Sequence, residues 1–267
     1  MERVQQALEK ARALRSGEAA APTPAAAPAP SRVDEAWAAL KDLPTDPAAL
    51  LRAHIVTAVD APDARVFDLM RTKLLHQMRT NGWKRIAITS PGPSCGKTTV
   101  ALNLAFGLAR HQDLRVVLAE ADLHRPTMAR VLQARIVTGF PDLLEGRSIL
   151  QDCVLRLRPN LAATLAPGAR RQAAELLQSP SAKSALDAIE AALDPGVFLF
   201  DLPPTLASSD VLAFAENVDA ALIVAAAGQT TLAEIDACER ELATRTNVVG
   251  VVMNRSLYME QAYGAYT

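Results

Sequence analysis

The stretch Thr89-Ser-Pro-Gly-Pro-Ser-Cys-Gly-Lys-Thr-Thr99 has the residue types and spacing to bind phosphate. A Gly/Pro/Ser turn that delivers Gly96-Lys97-Thr98 to the start of a helix gathers backbone N–H groups with no intrahelical partner. The helix dipole adds partial positive charge at the same point. Lys97 is placed to reach the β- and γ-phosphates of a nucleoside triphosphate, and the Thr98 hydroxyl to ligate Mg²⁺. Gly92, Pro93, Ser94, Cys95, Gly96 and Thr99 complete the expected ATP-binding loop. Pro91 stands where the general pattern Gly-x-x-x-x-Gly-Lys-[Ser/Thr] has its first Gly, and Gly92 follows it, a departure that points to a subclass.

Two further segments end in carboxylates. Arg115-Val-Val-Leu-Ala-Glu120-Ala-Asp122 places Glu120 and Asp122 just beyond an apolar run, and Val197-Phe-Leu-Phe-Asp201 places Asp201 at the end of another. If both runs are parallel strands, these ends converge on the edge that carries the phosphate loop. Asp122 and Asp201 could hold Mg²⁺ there, partly through water, because that ion dehydrates reluctantly. Lys97, Glu120, Asp122 and Asp201 form the candidate catalytic set, one acid taking the proton from an attacking hydroxyl. The alternative role for each acid is to cap the helix or turn that follows it.

The elements that must position these groups alternate. Strands are expected at 84–89, 114–119, 161–165, 196–200, 219–224 and 247–252, with helices at 62–81, 98–111, 181–193, 208–216 and 230–244. Val116-Val-Leu-Ala119 and Val197-Phe-Leu-Phe200 are continuous apolar runs rather than alternating ones, as a parallel sheet covered on both faces requires. The expected fold class is α/β, a doubly wound, mostly parallel sheet with helices on both faces, of the P-loop type.

Ahead of this domain, residues 1–16 repeat apolar side chains at Val4, Leu8, Ala11 and Leu14, an amphipathic helix. Residues 17–32 are an Ala/Pro-rich linker, semi-rigid and extended. Residues 33–61 hold a short helix over Val33–Leu43, with Trp37 and Leu40 on one side, and a connecting segment. These parts are either weakly ordered arms or a docking element for a partner. The nucleotide-binding domain is expected over 62–255 and a tyrosine-bearing tail over 256–267.

Composition narrows the function. With 28 basic and 29 acidic side chains in 267 residues, no global basic excess argues for a nucleic-acid partner. Three cysteines without Cys-x-x-Cys spacing point to a reducing compartment and away from a zinc site. His54, His76, His111 and His124 are scattered along the chain. The N-terminus lacks the apolar stretch of a signal peptide. The longest apolar run, Ala220–Ala227, is far short of the roughly 20 residues of a membrane span. A cytoplasmic protein is expected.

Taken in order and spacing, the phosphate loop, Leu118-Ala-Glu-Ala-Asp-Leu-His-Arg-Pro126 and Asp201-Leu-Pro-Pro204 resemble the three nucleotide motifs of the bacterial tyrosine kinases of capsule and exopolysaccharide synthesis, the CpsD/CapB family. Ala174-Glu-Leu-Leu-Gln-Ser179 resembles that family's Glu-Leu-Leu-x-Ser segment. Gly250-Val-Val-Met-Asn254 resembles the strand whose Asn contacts adenine. The resemblance covers about residues 62–267. It implies ATP and Mg²⁺ binding and phosphoryl transfer to C-terminal tyrosines of a neighbouring subunit. Tyr258, Tyr263 and Tyr266, the chain's three tyrosines, are then the phosphoacceptors. It also implies a membrane-embedded chain-length regulator as activating partner, which recruits the kinase to the inner face of the membrane.

Several positions depart from the family. Glu120 replaces its usual Asp, His124 its usual Arg, and Ser94-Cys95 its Gly-Glu, so Ser94 must fill a position that wants φ > 0. A Glu-x-x-Arg-x-x-Arg segment that closes a subunit ring in the family reads Arg65, Asp68 and Arg71 here. Two other functions stay open. One is a MinD/ParA-like positioning ATPase, disfavoured by Gly92 where those proteins carry an extra Lys. The other is an ATP-gated regulatory subunit without transfer chemistry.

Overall fold

The computed structural model describes residues 31–59 and 61–256. Eight strands build one sheet: β1 Lys41–Asp42, β2 Arg85–Thr89, β3 Val116–Glu120, β4 Val154–Arg158, β5 Leu161–Thr164, β6 Val197–Asp201, β7 Ala220–Ala226 and β8 Asn247–Asn254. Their order is β1-β4-β5-β3-β6-β2-β7-β8. Every neighbouring pair is parallel except β4 and β5. Eight strands close to this order leave β2, the strand that enters the phosphate loop, between β6 and β7 with both edges hydrogen-bonded.

The longer helices are α1 Arg32–Ala38, α2 Pro47–Arg52, α3 Arg65–Asn81, α4 Lys97–Leu108, α5 Pro180–Leu193, α6 Asp210–Phe214 and α7 Leu232–Ala243. β3, β6 and β7 are buried at every residue, because apolar clusters cover both faces of the sheet. One cluster joins α3 and α4 to the sheet through Leu74, Met78, Val100 and Phe106. The other joins α5, α6 and α7 through Leu186, Phe214, Cys238 and Phe200. Such two-sided cover is why these strands read as unbroken apolar runs.

The helix α4 is buried on nearly every side, so its sequence Val-Ala-Leu-Asn-Leu-Ala-Phe carries no polar stripe. Its one buried amide, Asn103, is satisfied: Nδ2 donates to the His54 and Thr99 carbonyls, and Oδ1 accepts from the Thr57 backbone N–H. Fixing α4 in this way fixes its first residue, Lys97.

Three expectations change. The helix expected over Val33–Leu43 stops at Ala38, and Lys41–Asp42 pair with β4 as a strand. Trp37 and Leu40 are buried, and Trp37 Nε1 donates to the Leu193 carbonyl at 2.8 Å. That apolar side therefore packs on the chain's own α5 and is closed to a partner. The strand β4 was absent from the expected set: Val154-Leu-Arg-Leu-Arg158 alternates with arginines, and it runs antiparallel near the sheet margin. Residues 1–16, most of the linker and the tail beyond 256 lie outside the described residues.

Candidate nucleotide and metal site

The loop between β2 and α4 adopts the backbone that its sequence demands. Gly96 caps α4 with φ 90°, and a Cβ there would fall 2.2 Å from Asn254 Nδ2. Only glycine fits. Ser94 also stands at φ 60°, as expected for the residue in the family's glycine position. Cys95 is buried, its thiol 3.3 Å from the Gly92 carbonyl that it faces, so its side chain braces the loop from behind. Ser90 Oγ donates to the same carbonyl at 2.6 Å. Asn254, at the end of β8, donates from Nδ2 to the Cys95 carbonyl at 2.9 Å, which ties the last strand to the loop.

The strands β3 and β6 are paired through Glu120 and Asp201, so their carboxyl ends lie side by side. The Thr98 hydroxyl donates to Asp201 Oδ2 at 2.6 Å. Asp201 Oδ1 is buried with no hydrogen-bond partner. Burial pushes the Asp201 carboxyl up to about 7, against the opposing pull of Lys97 and the Thr98 hydroxyl. Lys97 Nζ lies 4.0 Å from Asp122 Oδ2, and Asp122 Oδ1 accepts from the Arg125 backbone N–H at 3.1 Å. Burial likewise raises Asp122, with Lys97 counteracting it.

Lys97, Thr98, Asp122, Ser94 and Gly96 all line one cavity of about 700 Å³. An orphaned buried carboxylate oxygen beside a threonine hydroxyl is a donor set that suits a hard cation. Among the described residues no group of three or more His, Cys, Asp or Glu could hold a metal alone. Mg²⁺ bound with substrate phosphates needs only one or two protein oxygens, so Thr98 and Asp201, with Asp122 beyond them, fit that ion.

Glu120 is corrected. It is fully buried, and its carboxylate accepts from three backbone N–H groups: Oε1 from Thr127 at 2.5 Å and Met128 at 2.6 Å, Oε2 from Ala166 at 2.9 Å. Burial raises its pKa and those three donors oppose the rise. Glu120 holds the loop after β3 in place and does not reach the cavity. The extra methylene relative to Asp lets one carboxylate span the Thr127–Met128 turn and the chain after β5.

One pair was not foreseen. His124 Nε2 lies 3.1 Å from Asp210 Oδ2 and 3.3 Å from Oδ1, and Asp210 is 1% exposed. The sequence signal is faint: Asp210 follows Ser208-Ser209 and reads as an ordinary residue of a helix first turn, 86 positions from His124.

In the helix α3, Asp68 pairs with Arg71 at 3.0 Å and Arg110 at 3.2 Å, and Arg71 Nη1 donates to the Gly107 carbonyl. Two of the three residues at the ring-segment positions are thus engaged within the chain. Tyr258, Tyr263 and Tyr266 lie outside the described residues.

A phosphate loop at the start of α4, with acids from two adjacent parallel strands beside it, defines a P-loop nucleotide-binding protein. The model of the CobQ/CobB/MinD/ParA nucleotide binding domain matches residues 86–260. The chain is 31% identical over 186 residues to the tyrosine-protein kinase YwqD of Bacillus subtilis (strain 168), covering 68% of this chain and 77% of that one. It is 32% identical over 200 residues to the EpsB protein of Ralstonia nicotianae, covering 73% of this chain and 26% of EpsB. The solved kinase domain of the Escherichia coli tyrosine kinase ETK superposes with a TM-score of 0.67 at 25% identity, over 76% of this chain and 79% of that one. The chain belongs to the bacterial tyrosine-protein kinases, within the CobQ/CobB/MinD/ParA nucleotide-binding family. It spans most of YwqD but about a quarter of EpsB.

Proposed function

We propose that the chain is an ATP-dependent protein-tyrosine kinase that phosphorylates Tyr258, Tyr263 and Tyr266 on a neighbouring copy of itself, and that this regulates polymerisation and export of an exopolysaccharide. The observation that carries the reading is the convergence of Lys97, Thr98 and Asp122 on one cavity, with the buried Asp201 carboxylate joined to it through the Thr98 hydroxyl. In this reading the loop N–H groups and Lys97 bind the phosphates. Thr98 and Asp201 would hold Mg²⁺, which would supply positive charge against the transferred phosphoryl group. Asp122 keeps the Lys97 ammonium in place.

The likeness to YwqD and ETK supports a tyrosine acceptor. Tyrosines found only at positions 258, 263 and 266 support acceptors within the chain itself. Among the described residues no helix is long and apolar enough to cross a membrane. Recruitment to the inner membrane face by a membrane-embedded chain-length regulator is part of the same proposal, with residues 1–31 as its contact. Deleting residues 1–30 leaves α1 intact and should abolish recruitment in cells that hold the partner.

Incubation with γ-labelled ATP and Mg²⁺, followed by mapping of phosphotyrosine, tests the chemistry. Label on the tail that disappears in Lys97→Met supports the kinase. Free phosphate without protein label would identify a positioning ATPase instead, and binding without either an ATP-gated subunit.

A further inference from the structure

The cavity that holds Lys97 extends past the phosphate loop to His124, Pro204 and Ser208. The phosphate and metal contacts proposed above use neither His124 nor its partner Asp210. Their arrangement is nevertheless specific. Asp210 is buried, and its Oδ2 has no hydrogen bond of good geometry apart from the ion-pair contact with the imidazole at 3.1 Å. A buried carboxylate without a full set of donors is expensive to maintain. Its two oxygens converge on one ring nitrogen of a side chain that is itself 43% exposed and lines the cavity.

A carboxylate accepts and cannot donate, so the neutral imidazole must carry its proton on Nε2 to bond with Asp210. That fixes the tautomer. Nδ1 is left with a free lone pair, and among the described residues no hydrogen bond to it is formed. Asp122, Arg125 and Lys97 are the other charged side chains lining the same cavity.

We propose that His124, held in this tautomer by Asp210, is the group that receives the acceptor tyrosine's proton during phosphoryl transfer. The proposal rests on the kinase reading above. The phenolic O–H bond breaks and an N–H bond forms at Nδ1. The phenolic oxygen bonds to the γ-phosphorus of the nucleoside triphosphate, and the bond from that phosphorus to the leaving oxygen of the diphosphate breaks. The resulting imidazolium faces the buried Asp210 carboxylate, which offsets its charge. Asp210 is a positioning residue in this scheme, since it acts only through the ring. The arrangement gives an oriented base to a chain whose Glu120 is committed to backbone N–H groups.

The test uses the full-length chain with ATP and Mg²⁺ and three variants, His124→Gln, His124→Arg and Asp210→Asn. Affinity for a fluorescent ATP analogue should stay at the wild-type level in all three, which also reports that they fold. Tyrosine labelling should fall about 100-fold or more in both His124 variants, the usual worth of an acid–base group. In Asp210→Asn it should fall less, through kcat rather than KM for the nucleotide. Nitrogen-15 NMR of histidine-labelled protein should show the Nε2–H tautomer in the wild type and a tautomer mixture in Asp210→Asn.

Labelling retained in His124→Gln would overturn the proposal while leaving the kinase reading intact. Labelling retained only in His124→Arg would assign the ring a cationic role and overturn it equally. An Nδ1–H tautomer in the wild type would do the same. A wild type that binds the nucleotide yet labels no tyrosine would overturn the kinase reading, and the proposal with it.

Discussion

The Thr98 hydroxyl reaches across from the first turn of α4 to the last residue of β6, donating to Asp201 at 2.6 Å. This contact joins the phosphate loop to the neighbouring strand, and it occupies one carboxylate oxygen while leaving the other buried and bare. The site is therefore electrostatically incomplete without a cation.

A pH dependence follows from that incompleteness. Burial raises the Asp201 carboxyl from 3.8 to about 7 in the folded chain. Between those values the native state holds the proton that the unfolded chain releases, so stability falls as pH rises through this window. Asp201→Asn removes the fall. Its stability without nucleotide should exceed the wild type's above pH 7, by an amount on the order of a few kcal/mol at most, and the difference should vanish toward pH 4. With ATP and Mg²⁺ the order should reverse, because the wild type, which keeps the carboxylate for the metal, gains more binding free energy. Calorimetry at stepped pH checks both limbs; a wild-type Tm that does not decline over the window contradicts the account.

Glu120→Ala separates support from catalysis. It leaves the N–H groups of Thr127, Met128 and Ala166 without an acceptor. Each buried group so stranded costs about 1–3 kcal/mol. Denaturant unfolding should show a loss of about 3 kcal/mol or more. Glu120→Gln should also destabilise, since its amide NH₂ confronts N–H donors. A variant as stable as the wild type but unable to transfer phosphate would restore Glu120 to the catalytic set.

Much of this site was legible in the residues themselves. Gly96-Lys97-Thr98 and the two acid-terminated runs announce it because a parallel sheet delivers every carboxyl end to one edge. What the spacing does not carry is the use made of each acid. Glu120 and Asp122 are two residues apart, yet one binds backbone amides and the other faces Lys97, a difference set by loops that begin at Thr127 and Ala166. The His124–Asp210 pair is a contact between segments 86 positions apart, invisible to any local pattern. The strand β4 was missed because its two arginines, Arg156 bonded to Asp42 and the Trp37 carbonyl and Arg158 to the Ala58 carbonyl, mimic a polar connection.

Trp37→Ala tests whether α1 belongs to the fold. The indole is buried against α5 and anchored at the Leu193 carbonyl. Truncation should cost about 3–5 kcal/mol. Nucleotide affinity at low temperature should be preserved, since Trp37 does not line the cavity that holds Lys97. Urea midpoints unchanged from the wild type would contradict this packing.

Ser94→Gly relieves a left-handed backbone. Ser94 holds φ 60°, where a Cβ costs about 1–2 kcal/mol. Part of that is offset by the greater freedom of glycine in the unfolded chain, so a gain of about 0.5–1 kcal/mol is expected. Thermal melts of the two proteins decide it, and a lower Tm for the glycine variant would mean that the Ser94 hydroxyl contributes more than its conformation costs.

The strand order puts β1 and β8 at opposite margins of the eight-stranded sheet. Neighbouring strands lie about 4.8 Å apart, which separates those margins by roughly 30 Å. The first strand in the chain, β1, forms one margin, and the last, β8, forms the other. Anything laid along the free edge of β1 thus leaves the edge of β8 untouched, and the two sides of this sheet can be engaged independently.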